Sequence, residues 1–140
     1  MKPKMKPSVL VCVTNQYNCD RLIKAGYEIA KQKDYDLRVL CVHTPISNIS
    51  LLSDEIEYLY QVSKSLKADM TIAFNSNPPK VTADFVRKFC AKELVTGMPD
   101  KSKNGFIDTL SALLPKTTIT MVTKEGEQLK YYHAQERALA

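Results

Sequence analysis

Hydrophobic and polar positions follow two regimes along this chain. Short runs rich in β-branched residues occur at Ser8–Val13, Leu37–Val42, Met70–Phe74, Glu93–Thr96 and Thr117–Val122, and each reads as a strand. Between them apolar residues recur at helical spacing. The first such segment, about Asn18 to Gln32, puts Leu22, Ala25, Ile29 and Ala30 on one face, with Asn18 or Asp20 as N-cap. The second, about Asn48 to Leu66, aligns Leu52, Ile56, Leu59, Val62 and Leu66. Its early acidic residues Asp54, Glu55 and Glu57 suit the positive end of a helix dipole. The third follows Pro78-Pro79, a favourable helix entry, and offers Val81, Phe85, Val86 and Phe89. The fourth is short, about Gly105 to Leu114, with Phe106, Ile107, Leu110 and Leu113 apolar and Pro115 as its stop.

Strands that are apolar throughout are those covered on both faces of a parallel sheet. Right-handed crossovers wind such an alternating chain into a doubly wound, three-layer α/β sandwich with a five-stranded parallel sheet. The last run, Thr117 to Thr123, alternates polar and apolar residues, as a sheet edge does. A turn signal, Lys124-Glu125-Gly126-Glu127, follows it. Gln128–His133 therefore either folds back as a hairpin strand or pairs with a second chain. No repeat or linker interrupts the pattern, so residues 1–140 read as a single domain with a core over about 8–123 and a tail over 124–140.

Composition narrows the classes further. A chain of 140 residues with 44% apolar content buries about two-thirds of its unfolded surface and needs no disulfide or metal staple. Lys and Arg number 20 against 15 Asp and Glu, a net charge of +5. The excess is dispersed, and Lys2, Lys4 and Lys6 sit at the N-terminal end, so no nucleic-acid stripe is predicted. No apolar run of ~18 residues exists to span a membrane, and the basic stretch Met1–Pro7 is not followed by a signal-peptide core. The expected compartment is the cytoplasm. Cys12 and Cys41 lie in apolar runs, Cys19 and Cys90 lie in or near helical stretches, and no metal-ligand spacing joins them. They read as structural thiols of a reducing compartment.

In doubly wound folds ligands bind beyond the C-terminal strand ends, where the strand order reverses. After the first strand stands Thr14-Asn15-Gln16-Tyr17-Asn18, without the glycines of a dinucleotide site. The acidic residues of a phosphoacceptor receiver are absent there, and Phe74-Asn75 replaces the aspartate that would end its third strand. Gly97-Met98-Pro99-Asp100-Lys101-Ser102 imitates part of a P-loop, but it lacks the second glycine and follows the fourth strand. His43 at the end of the second strand reads as a half-buried structural residue, its place at the C-terminal rim making it also a candidate ligand contact, and Asp100 reads as a turn residue. No nucleophile and base share a motif, so no catalytic residues and no metal site are predicted.

With these residues in place, the chain resembles the universal stress protein family, in particular the variant carried by potassium-responsive sensor histidine kinases. The likeness rests on Val9-Leu10-Val11-Cys12-Val13 after a basic tail, Asn18–Ala30 as first helix, and Leu40-Cys41-Val42-His43-Thr44-Pro45 as the second strand exit. Phe85-Val86-Arg87-Lys88-Phe89 followed by Glu93-Leu94-Val95-Thr96-Gly97 completes it. The resemblance covers about residues 8–123 and implies strand order 3-2-1-4-5 and an adenine nucleotide alpha hydrolase-like fold. ATP-binding members carry G-x2-G-x9-G-[ST] after the fourth strand and an aspartate after the first. Here Gly97 holds the first glycine position, Asp100 the second and Leu110-Ser111 the final pair, while Thr14 stands where the aspartate would be. That departure argues against tight ATP binding.

The resemblance then implies a non-enzymatic stress or signalling domain, a homodimeric adaptor paired through the edge strand Thr117–Val122. The alternative is an adenine-nucleotide sensor for ATP, AMP or cyclic di-AMP, with Val13, Thr14, Asn15 and Val42 around the base and Gly97, Lys101 and Ser102 near phosphate. In that case Lys101, Ser102, Lys103 and the Asn104-Gly105 amides form a looser, basic cradle.

Overall fold

A computed structural model describes residues 5–14, 16–43, 54–98 and 105–131. Along the chain run β1 (Ser8–Val13), a 3₁₀ turn (Tyr17–Cys19), α1 (Asp20–Lys33), β2 (Asp36–His43), α2 (Asp54–Ser65), β3 (Asp69–Phe74), α3 (Pro78–Lys88), β4 (Ala91–Gly97), α4 (Gly105–Leu113), β5 (Thr118–Val122) and β6 (Gln128–Lys130). They form one sheet of order β3-β2-β1-β4-β5-β6. The first five strands pair in parallel, as expected.

Side chains leave a strand on alternate faces, and this separates the core into two layers. Val9, Val11 and Val13 of β1, with Val39 and Cys41 of β2, pack beneath α1 and α2. Leu10, Leu40 and Leu94 go through to the other face, against α3 and α4. Helix α1 packs directly on Val11 of the sheet at Gly26, which has no side chain. A Cβ there would stand 2.3 Å from Val11 Cγ2 and 3.2 Å from Leu37 Cδ1. The helix ends at Asp34, which takes the left-handed conformation (φ 58°), and Tyr35 N–H returns to the Ala30 carbonyl.

The tail corrects the predicted sheet, which has six strands where five were expected. Thr123 and Glu127 exchange hydrogen bonds across a tight turn in which Gly126 has φ +90°, a conformation that suits glycine. β6 then pairs antiparallel to β5 over Thr120–Val122. β5 is consequently an interior strand, buried from Ile119 to Val122, and the exposed β6 is the sheet edge. The edge assigned above to pairing between chains is occupied over Thr120–Val122 by the chain's own tail. Tyr131 OH donates to the Asp108 carboxylate, tying the end of the hairpin to α4.

The buried face of α3 also differs from the predicted one. Thr82, Ala83 and Val86 face the core, whereas Val81 and Phe85 are half-buried and Phe89 sits beyond the helix end. Phe89 instead stacks under the Arg38 guanidinium, 4.0 Å from the ring centre. On α4, Leu113 is exposed and Leu114 takes the core position. The expected start of the second helix, Asn48–Ser53 with Leu52, lies outside the described residues. No helix among the described residues is long and apolar enough to cross a membrane.

Candidate functional site

The chain crosses from β1 to β2 on one side of β1, and β4 joins β1 on the other. Strand order therefore reverses between β1 and β4, and two adjoining cavities open beyond their C-terminal ends. They share Cys12, Thr14, Thr96 and Phe106 as walls.

The first cavity, about 270 Å³, lies toward β2 and is largely apolar. Val13, Leu40 and Val42 come from the strands, Pro78 and Thr82 from the first turns of α3, and Phe106 from α4. Pro78-Pro79 begin α3 and the Asn77 side chain caps it by accepting from Lys80 N–H, which holds Thr82 over the sheet. Thr82 is 1% exposed, and its hydroxyl has no hydrogen-bond partner among the described residues. Such a buried, unpaired hydroxyl is costly in a folded protein.

The second cavity, about 290 Å³, lies toward β5 and adds cationic side chains to a wall that is otherwise mostly apolar. Arg21 of α1, Gly97 and Met98 at the end of β4, and Lys124 after β5 line it. Arg21 reaches across to the end of β5, donating from Nε to the Thr123 carbonyl at 2.8 Å and from Nη1 to the Asn18 carbonyl at 2.7 Å. A Cβ at Gly97 would stand 3.7 Å from Arg21 Nη2, an ordinary contact, so this glycine is not required by crowding among the described residues.

Of the residues singled out in the sequence, Val13, Thr14 and Val42 meet in the first cavity, and Thr14 and Gly97 in the second. Asn15, Lys101 and Ser102 lie outside the described residues, as do Asp100, Lys103 and Asn104. Leu110 is buried in α4 and Ser111 follows it in the helix. His43 lines neither cavity. Its ring stacks on Phe74, 6.0 Å between centroids, and its Nε2 lies 3.5 Å from Cys41 Sγ, the structural role expected of it.

All four cysteines are free thiols. Burial pushes the Cys12 thiol up to about 12, with the nearby Cys41 adding to the effect, and burial likewise pushes Cys41 up to about 11. Both stay protonated and unreactive near neutrality. Among the described residues, no group of three or more His, Cys, Asp or Glu side chains converges to hold a metal.

Sequence reasoning did not assign Thr82, Phe106, Arg21 or Lys124 to the site. Phe106 and Thr82 were legible only as helix residues. The cations gave no motif, because Arg21 and Lys124 come together only through the α1–β5 contact.

No protein-family model matches the chain, and no curated protein matches it in sequence. Solved structures do resemble it. A universal stress protein from Archaeoglobus fulgidus has a TM-score of 0.58 at 14% identity, covering 82% of this chain and 92% of that one. A universal stress protein from Archaeoglobus fulgidus in complex with dAMP gives 0.53 at 14% identity, over 86% of this chain and 98% of that one. A universal stress protein in complex with cAMP gives 0.62 at 13% identity, over 86% of this chain and 99% of that one. At these identities the likeness is one of architecture. The chain has the three-layer α/β fold of the universal stress proteins.

Proposed function

We propose that this protein is a universal-stress-protein-like sensor of an adenine nucleotide, of the kind borne by potassium-responsive histidine kinases, acting in the cytoplasm and binding its ligand without turning it over. The observation that carries this reading is the apolar cavity at the strand reversal, with Thr82, whose buried hydroxyl is unpaired among the described residues, in its lining. A purine is flat, apolar on its faces and polar on its edges. Leu40, Val42 and Phe106, which share the α3/α4 side of the sheet, offer surfaces for the faces, and Thr82 a hydrogen bond for one edge. The neighbouring folds solved with cAMP and dAMP support the choice of adenine. AMP is the first ligand to test, with ATP and cyclic di-AMP as larger ones.

The test is titration of adenosine into the wild-type protein and Thr82→Val. Loss of one hydrogen bond worth about 1 kcal/mol weakens adenosine about fivefold. The same change removes an unsatisfied buried hydroxyl, so the free variant unfolds at a higher temperature than wild type. Failure of adenosine to bind the wild-type protein at millimolar concentration would sink the reading.

A second reading, the homodimeric adaptor for a signalling partner, is favoured by the outer edge of β6. Gln128, Leu129 and Lys130 are all exposed there, and such an edge takes a strand from another chain. Pairing would then run through β6 in place of β5. Solution mass of the full chain and of Leu129→Pro separates the two: a dimer lost on the proline substitution supports this edge.

A further inference from the structure

The second cavity carries charge that no carboxylate among the described residues pairs. Arg38 and Arg87 each pair with an aspartate, Asp69 and Asp84 respectively. Arg21 pairs with no carboxylate among the described residues, and neither does Lys124. The acid beside Arg21 in sequence, Asp20, is engaged elsewhere: it accepts from Tyr58 OH at 2.6 Å and pairs with Lys24 at 3.6 Å.

The partners of Arg21 are backbone carbonyls, those of Thr123, Asn18 and, at 3.5 Å, Val122. Neutral carbonyls orient a guanidinium without cancelling its charge. Five N–H groups project from that plane in a fixed fork, and three of them are committed to these carbonyls. The group is thus held still, charged, and with donors to spare, at the wall of a cavity of about 290 Å³. Lys124 lines the same cavity from the exposed turn after β5. The space exceeds several waters at ~30 Å³ each, enough for a hydrated phosphate.

We infer that Arg21 and Lys124 form an anion-binding end to the site, which takes the phosphate of a nucleoside monophosphate through side-chain cations. This rests on the nucleotide reading above for the identity of the base, but not for the anion. The two ends adjoin at Thr14, Thr96 and Phe106, so a ligand with its base in the apolar cavity extends its phosphate toward Arg21. Guanidinium–phosphate contacts are charge-assisted and paired in geometry, and they do not need the close backbone approach that a glycine cradle supplies. Lys124 adds charge without that geometry.

The experiment compares AMP, adenosine and inorganic phosphate on wild type, Arg21→Gln and Lys124→Gln, by calorimetric titration and thermal shift at low and moderate salt. Wild type binds AMP at least ~10-fold more tightly than adenosine, and added salt narrows the ratio. The ratio falls ~10-fold or more in Arg21→Gln, and about two- to fivefold in Lys124→Gln, where the charge is exposed. Circular dichroism reports whether Arg21→Gln is folded. If it is not, Lys124→Gln and Arg21→Lys carry the comparison, since lysine keeps the charge and loses the fork. An AMP-to-adenosine ratio of one in wild type, or a ratio preserved in every folded variant, overturns the anion site and leaves the nucleotide reading standing. Binding of inorganic phosphate that Lys124→Gln weakens, with no binding of adenosine, establishes the anion site and removes the nucleotide reading. No response to any of the three ligands removes both.

Discussion

Replacing Gly26 by alanine adds one methyl group to the side of α1 that faces the sheet. In an exposed helix that change stabilises by about 1 kcal/mol, because alanine is the better helix former. Here the new methyl arrives 2.3 Å from Val11 Cγ2 and 3.2 Å from Leu37 Cδ1. Val11 cannot step aside. It is fully buried, it sits on a strand hydrogen-bonded on both sides, and its branched Cβ leaves one comfortable rotamer or few. Helix α1 must therefore lift off the sheet or Val11 must leave its rotamer, a strain of about 2–3 kcal/mol. The net expectation is a loss of about 1–2 kcal/mol, which for a domain of this size lowers Tm by about 3–8 °C. Urea unfolding of wild type, Gly26→Ala, Val11→Ala and the double variant measures it, with unchanged m-values as the check that the denatured state is the same. Val11→Ala alone is destabilising, through the cavity it leaves. In that background Gly26→Ala turns neutral or stabilising, a coupling of about 2 kcal/mol. A Gly26→Ala protein more stable than wild type would refute the close approach of α1 to β1.

Two further predictions concern the thiols and the tail. An unfolded cysteine ionises from its ordinary value of 9.0, whereas Cys12 holds its proton to about 12 in the folded protein. Unfolding above pH 9 therefore releases a proton, so the contribution of Cys12 to stability falls as pH rises from 9 toward 12 and is constant below that window. Cys12→Ala flattens this fall in denaturant titrations at stepped pH, and an identical slope in the variant would count against the burial of this thiol. Ending the chain at Val122 removes β6 and bares the backbone of β5 over Thr120–Val122. Light scattering is expected to show larger assemblies for the shortened chain than for the full one, and equal mass and solubility would show that β6 does not protect that edge.

Strand and helix order was legible along most of the chain because it is local information. Six consecutive residues from Ser8 to Val13 declare a strand by their own side chains, and the observed β1 has those bounds. The place of the site was legible too. Once the alternation implies a doubly wound sheet, the residues after β1, β2 and β4 are its rim, and Val13, Thr14, Val42 and Gly97 do line the two cavities. The face of α3 was legible in part: Val86 is buried and Phe85 packs at the margin of the core, while Thr82 and Ala83 were passed over because Phe89 outweighs them in hydrophobicity. Packing chose the smaller residues, which let the helix lie close to β2 and β4 and left Phe89 to Arg38.

What the sequence by itself determined is whatever neighbours along the chain decide: the alternating elements, the strand ends that form the rim, the turn at Lys124–Glu127. Tertiary structure alone decided which backbone covers β5, which way the buried hydroxyl of Thr82 is placed, and that Arg21 meets Thr123 across 102 positions of sequence. Both a hairpin and a second chain satisfy the same unpaired strand groups, so no local pattern distinguishes them. A guanidinium likewise carries one charge wherever it stands, and only the fold settles whether a carboxylate or a set of carbonyls surrounds it.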